Sequence, residues 1–89
     1  MNHISAAIKA LVESYALNGI TAAQINNGYC ADFANYISEI TGARITSNED
    51  IDGREYVHTF IIDGGKFYDS EFPDGENDFA VFMARFYKG

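Results

Sequence analysis

The sequence predicts a small α+β domain with helices packed on an antiparallel sheet, and three observations carry that expectation. Apolar residues recur at helical spacing twice in the first half: Ile4, Ile8, Leu11, Val12 and Tyr15, then Cys30, Phe33, Ala34, Ile37 and Ile40. Two runs rich in β-branched and aromatic residues, Glu55 to Ile62 and Lys66 to Tyr68, flank the turn sequence Asp63-Gly64-Gly65. A third apolar stripe, Phe79, Phe82, Met83 and Phe86, closes the chain at helical spacing.

Taken in order, the first helix stops at Asn18-Gly19, a typical end signal. Thr21 to Asn27 reads as a polar loop with a short turn around Ala22-Ala23-Gln24. The second helix starts near Cys30, with Asn26 and Asn27 as upstream capping candidates, and Gly42 ends its pattern. Residues 43 to 54 read as a short Ala43-Arg44-Ile45-Thr46 segment and an acidic, glycine-containing loop. The 55–62 strand is apolar on both faces, so it is expected to be covered on both sides. Glycine supplies the positive φ that a tight primed hairpin turn requires. Glu71 to Asp78 reads as a loop ending in a helix cap; a strand is the alternative for the closing helix.

Eighty-nine residues, 47% apolar and 15% aromatic, describe one folded domain spanning 1–89 and not a disordered tail. A core this small is modest, and large rings fill it efficiently. The net charge of −7 argues against nucleic-acid binding, which needs clustered Lys and Arg. One cysteine forms no internal disulfide. With no basic-then-apolar leader and only short apolar runs, neither a membrane span nor export is expected, and a cytoplasmic location follows.

The lone cysteine stands at the head of an amphipathic helix, after a polar loop containing Gly28. Downstream, one strand carries His58 and the next carries Asp69. Thiol, imidazole and carboxylate are the parts of a nucleophile–base–orienter site. A two-residue Asp63-Gly64 turn sets His58 opposite Asp69. A Gly64-Gly65 turn sets it opposite Glu71, with Asp69 as a diagonal neighbour on the same face. A three-residue loop separates the two onto opposite faces. A helix N-terminus and an imidazolium both lower a thiol pKa. The Cys30 backbone N–H and the Gln24 side-chain amide are candidate donors for an oxyanion.

The segment Gln24-x5-Cys30, with Gly28 before the cysteine and Phe33-Ala34 after it, resembles the active-site segment of papain-like cysteine peptidases. Val57-His58-Thr59-Phe60 followed by Gly65-Lys66-Phe67-Tyr68-Asp69 is similar to transglutaminase-like, NlpC/P60-like and small phage-type proteins of the wider superfamily. The resemblance implies a minimal papain-like core in which Cys30 is the nucleophile, His58 the general base, Asp69 the orienting residue and Gln24 the oxyanion donor. It implies a cysteine-dependent amide hydrolase or acyl transferase, acting on a protein or peptide without a cofactor. Two features depart from the family. The step from Cys30 to His58 is far shorter than in papain, and Ala31 stands where papain has tryptophan.

Blander roles compete for the same residues. Cys30 can be a small buried hydrophobe, His58 a core histidine, Asp69 a strand-end acid and Gln24 a polar loop residue. Cys30, His58 and Asp69 lack the paired spacing of zinc ligands. Asn48 to Gly53 matches only part of a calcium loop and reads as a solvated turn. The alternative to an enzyme is a small acidic binding protein of phage or mobile-element type, which blocks a host factor by contact while its triad stands idle.

Overall fold

The computed structural model describes residues 3–87. Among these residues, five helices and a four-stranded antiparallel sheet make an α+β fold. The helices are α1 (His3–Ala16), α2 (Ala22–Asn26), α3 (Cys30–Thr41), α4 (Asn48–Asp52) and α5 (Phe79–Met83). The strands are β1 (Arg44–Ser47), β2 (Thr59–Asp63), β3 (Lys66–Asp69) and β4 (Phe72–Glu76), and their order in the sheet follows the chain.

Strand alternation divides the core into two layers. Ile61 and its cross-strand partner Tyr68 face α1 and α3, where Ile4, Ile8, Phe33, Ala34 and Ile37 complete the larger cluster. Phe60 and Phe67 face the opposite way, onto Phe82, Met83, Phe72 and Phe79. The sheet is therefore covered on both sides, as the two-faced apolar pattern requires. Ring pairs such as Phe60–Phe82 (4.9 Å between centroids) and Phe67–Phe79 (5.2 Å) adopt the tilted geometries aromatic quadrupoles favour.

The β2–β3 register resolves the hairpin. Asp63 pairs with Lys66, so Gly64 and Gly65 are the two-residue turn, with φ of 57° and 78° as a primed turn demands. That register leaves His58 and Asp69 on one face.

Several elements differ from the sequence reading. The strand expected from Glu55 begins only at Thr59, because residues 54–58 find their hydrogen-bond partners in the buried Asn48 side chain. Asn48 Oδ1 accepts from the N–H groups of Val57 (2.9 Å) and His58 (3.0 Å), and Nδ2 donates to the Glu55 carbonyl (2.9 Å). The acidic loop contains a helical turn, α4, ended by Gly53 in the left-handed region. Neither Asn26 nor Asn27 caps α3; its N-cap is Tyr29, which makes no side-chain cap bond. Residues 72–76 form an edge strand, a position where Pro73 removes no interior ladder bond. The closing helix stops at Met83, so Phe86 lies in the turn beyond it. Asp78 does cap that helix, accepting from Ala80 N–H at 2.9 Å and Val81 N–H at 3.2 Å.

Candidate functional site

Three elements bring Cys30, His58 and Asp69 together. Gly42 and the Phe33, Ala34, Ile37 face fix α3 against the sheet, so Cys30 at its first turn sits above the entry to β2. Asn48 fixes the backbone at Val57 and His58, placing the imidazole inside the protein. The Gly-Gly hairpin returns Asp69 to the same face.

His58 is fully buried, and its Nε2 lies 2.8 Å from Asp69 Oδ2. The ring stacks on Phe86 at 4.5 Å between centroids. Its other nitrogen, Nδ1, is buried and has no partner of hydrogen-bond geometry. With Nε2 committed to the carboxylate, Nδ1 is the nitrogen left for the Cys30 thiol. Catalytic hydrogen bonds are commonly loose before substrate binds.

Electrostatics ties the groups together. The His58 imidazole holds the Cys30 thiol down at about 7; burial opposes this, while the Thr59 N–H and the Tyr56 hydroxyl assist. Burial disfavours the His58 imidazolium, yet the hydrogen bond with Asp69 and the nearby Cys30 and Asp69 groups outweigh it and raise the imidazole above its ordinary value. Burial likewise opposes ionisation of Asp69, and bonds from His58 and Arg85 overcome it, holding the carboxyl below the usual range. Thiol and imidazole titrate as a pair.

Asp69 is satisfied on every side. Its Oδ1 accepts from the N–H groups of Glu71 (2.9 Å) and Phe72 (3.0 Å), and Arg85 Nη2 donates to Oδ2 at 2.6 Å. Arg85 Nη1 also donates to Glu71 Oε1 at 2.7 Å, and the same oxygen accepts from Asn26 Nδ2 at 2.7 Å. A polar chain thus runs from the last residue of α2, through Glu71 and Arg85, to the carboxylate behind His58. A buried carboxylate needs such partners, because an unpaired charge there is strongly destabilising.

Gln24 stands elsewhere. It is exposed, and its Oε1 accepts from the Thr21 N–H at 2.8 Å while Thr21 Oγ1 accepts from the Gln24 N–H at 3.2 Å. This reciprocal capping box starts α2 and leaves Gln24 outside the groove beside the sulfur. The structure thus brings Cys30, His58 and Asp69 together without bringing Gln24 to the groove lining. Thr21-Ala22-Ala23-Gln24 carried the capping signature in the sequence itself.

Cys30 is half-buried at the floor of an open groove of about 320 Å³, bordered by Asn27, Gly28, Tyr56, Val57 and Phe86. Tyr56 and Val57 are exposed, and the Tyr56 hydroxyl lies 2.7 Å from Thr59 Oγ1. Sequence reasoning missed Asn48, Tyr56 and Arg85. No local pattern marks Arg85 as part of the site, since its carboxylate partners Glu71 and Asp69 are 14 and 16 residues away.

Among the described residues, no group of His, Cys, Asp and Glu is arranged to hold a metal ion. No described helix is long and apolar enough to cross a membrane. No known protein family, curated protein or solved structure matches the chain.

Proposed function

We propose that the protein is a papain-like, cysteine-dependent amide hydrolase or acyl transferase, with Cys30 as nucleophile, His58 as general base and Asp69 as orienting group. One observation carries this reading. A fully buried imidazole is bonded to a carboxylate through Nε2 and has its other nitrogen unpartnered beside a half-exposed thiol at an open groove.

In this mechanism the Cys30 proton passes to His58 Nδ1 and the thiolate attacks the amide carbonyl carbon. The imidazolium then returns the proton to the departing amine as the C–N bond breaks, leaving a thioester. Water or an acceptor amine, deprotonated by His58, attacks the thioester and releases Cys30. Asp69 stays ionised and stabilises the imidazolium. The backbone N–H of Cys30 and the Tyr56 hydroxyl take the place of Gln24 as oxyanion donors. The groove is short and open, which suits a protein or peptide amide presented on an exposed segment.

The test is labelling with iodoacetamide at pH 6. An activated Cys30 reacts well ahead of a model thiol, and parity with the model thiol removes the nucleophile. The acidic-binder reading draws on the charge of −7 and the exposed Tyr29, Tyr36 and Ile40. It requires that Cys30→Ala leave biological potency intact, whereas the enzyme reading requires that potency be lost.

A further inference from the structure

Arg85 has no part in the chemistry described so far, yet it is heavily engaged, with two carboxylates, a backbone carbonyl and three rings around it. Its guanidinium lies among the rings of Phe72, Phe82 and Phe86, with its carbon 4.7 to 5.1 Å from their centroids. Nε and Nη2 both donate to the Phe82 carbonyl, at 3.2 and 3.0 Å. Its Nη1 reaches Asp69 Oδ1 at 3.3 Å as well as Glu71 Oε1.

The decisive detail is which oxygen is shared. His58 Nε2 and Arg85 Nη2 both bond Asp69 Oδ2, at 2.8 and 2.6 Å. Two nitrogens on one oxygen lie within roughly 5 Å of each other, where like charges disfavour one another. A carboxylate serving only to orient an imidazole would leave its whole charge available to the imidazolium. Here a permanent cation occupies the same atom.

We propose that Arg85 is a positioning and tuning residue of the Cys30–His58 pair: by sharing Oδ2 it fixes the carboxylate and withholds part of its charge from the imidazole. This rests on the function proposed above. The charged and titratable groups facing the imidazole are Asp69 from β3 and Cys30 from α3, with Tyr56 beside the thiol and the Arg85–Glu71 pair behind Asp69. The remaining faces are the rings of Phe60, Phe82 and Phe86. Removing Arg85 leaves Asp69 and Glu71 facing His58 with no compensating cation. The imidazolium then gains stability.

The experiment compares wild type, Arg85→Gln, Arg85→Lys and Glu71→Gln by the pH midpoint of Cys30 alkylation with iodoacetamide and by NMR titration of the His58 ring. Arg85→Gln is expected to raise the His58 midpoint by about one pH unit and, because a cation is lost, to raise rather than lower that of Cys30 by a smaller amount. Arg85→Lys, which keeps the charge, stays near wild type. Glu71→Gln shifts both in the opposite directions, and it supplies the test if Arg85→Gln does not fold. A merely structural clamp behaves otherwise: its loss loosens the pair, raises the Cys30 midpoint and lowers that of His58. That result, or no shift at all, overturns the proposal. An unperturbed thiol in wild type would instead count against the proposed function, while the His58 titration still reads the effect of Arg85.

Discussion

Replacing His58 with phenylalanine isolates what the imidazole does to the thiol. The site is ringed by Phe60, Phe82 and Phe86, so a phenyl group fills the space, and Asp69 keeps Arg85 and two backbone N–H groups as partners. The imidazole is the largest of the influences that hold Cys30 at about 7, against an ordinary value of 9.0. Without it, burial opposes the weaker Thr59 and Tyr56 contributions, and the midpoint returns to the neighbourhood of 9. At pH 7 the thiolate fraction then falls about fifty-fold, but each thiolate becomes roughly eight times more nucleophilic because reactivity rises with basicity.

The net effect is a reversal. His58→Phe alkylates about six-fold more slowly than wild type at pH 7, matches it near about pH 8, and exceeds it severalfold above about pH 9. Stopped-flow alkylation from pH 5 to 10, with circular dichroism to confirm folding, measures the two profiles. Parallel profiles that never cross would show that His58 does not set the thiol's acidity.

Three further outcomes follow from the same geometry. Asn48→Ala removes the acceptor of two backbone N–H groups and the donor to two carbonyls, and urea denaturation should register a loss of about 2–4 kcal/mol. Gly75→Ala requires a side chain at φ of +85° with its Cβ 2.9 Å from the Tyr68 ring, so thermal melting should show a destabilisation of about 1–3 kcal/mol. Asp69 has a folded pKa below its unfolded one, so its contribution to stability is present above the unfolded value of 3.8 and fades as pH falls through the folded value. Asp69→Asn should therefore be less stable than wild type at neutral pH, with the gap closing under acid; a constant gap would assign the effect to packing.

The parts of the fold legible in the sequence are those whose signals are local. The stripe of Ile4 and Ile8, the stripe of Phe33, Ala34 and Ile37, and the Gly64-Gly65 punctuation correspond to α1, α3 and the β2–β3 hairpin. The juxtaposition of His58 and Asp69 was readable because strand parity and a two-residue turn place both on one face. What could not be read depends on side chains that act for distant backbone. Asn48 replaces a strand ladder for residues 54–58, so a run rich in β-branched and aromatic residues gives no strand until Thr59. Pro73 and Gly75 look like loop residues, and the edge position of β4 tolerates both. Gln24 illustrates competition between two partners for one residue: its place before Cys30 suggested an oxyanion donor, whereas the structure engages it in a capping box with Thr21. The nearer partner prevailed.

The outer margin at β4 also bears on how copies of this protein meet. A proline contributes no donor, Gly75 bends the chain at φ of +85°, and Asp74 is engaged by Lys9 of α1 at 3.0 Å. A second molecule seeking to extend the sheet here finds an interrupted row of amides beside an ion pair, a poor template for strand-by-strand polymerisation. At high concentration this margin therefore resists fibril growth, even though the aromatic-rich hairpin lies only one strand inward.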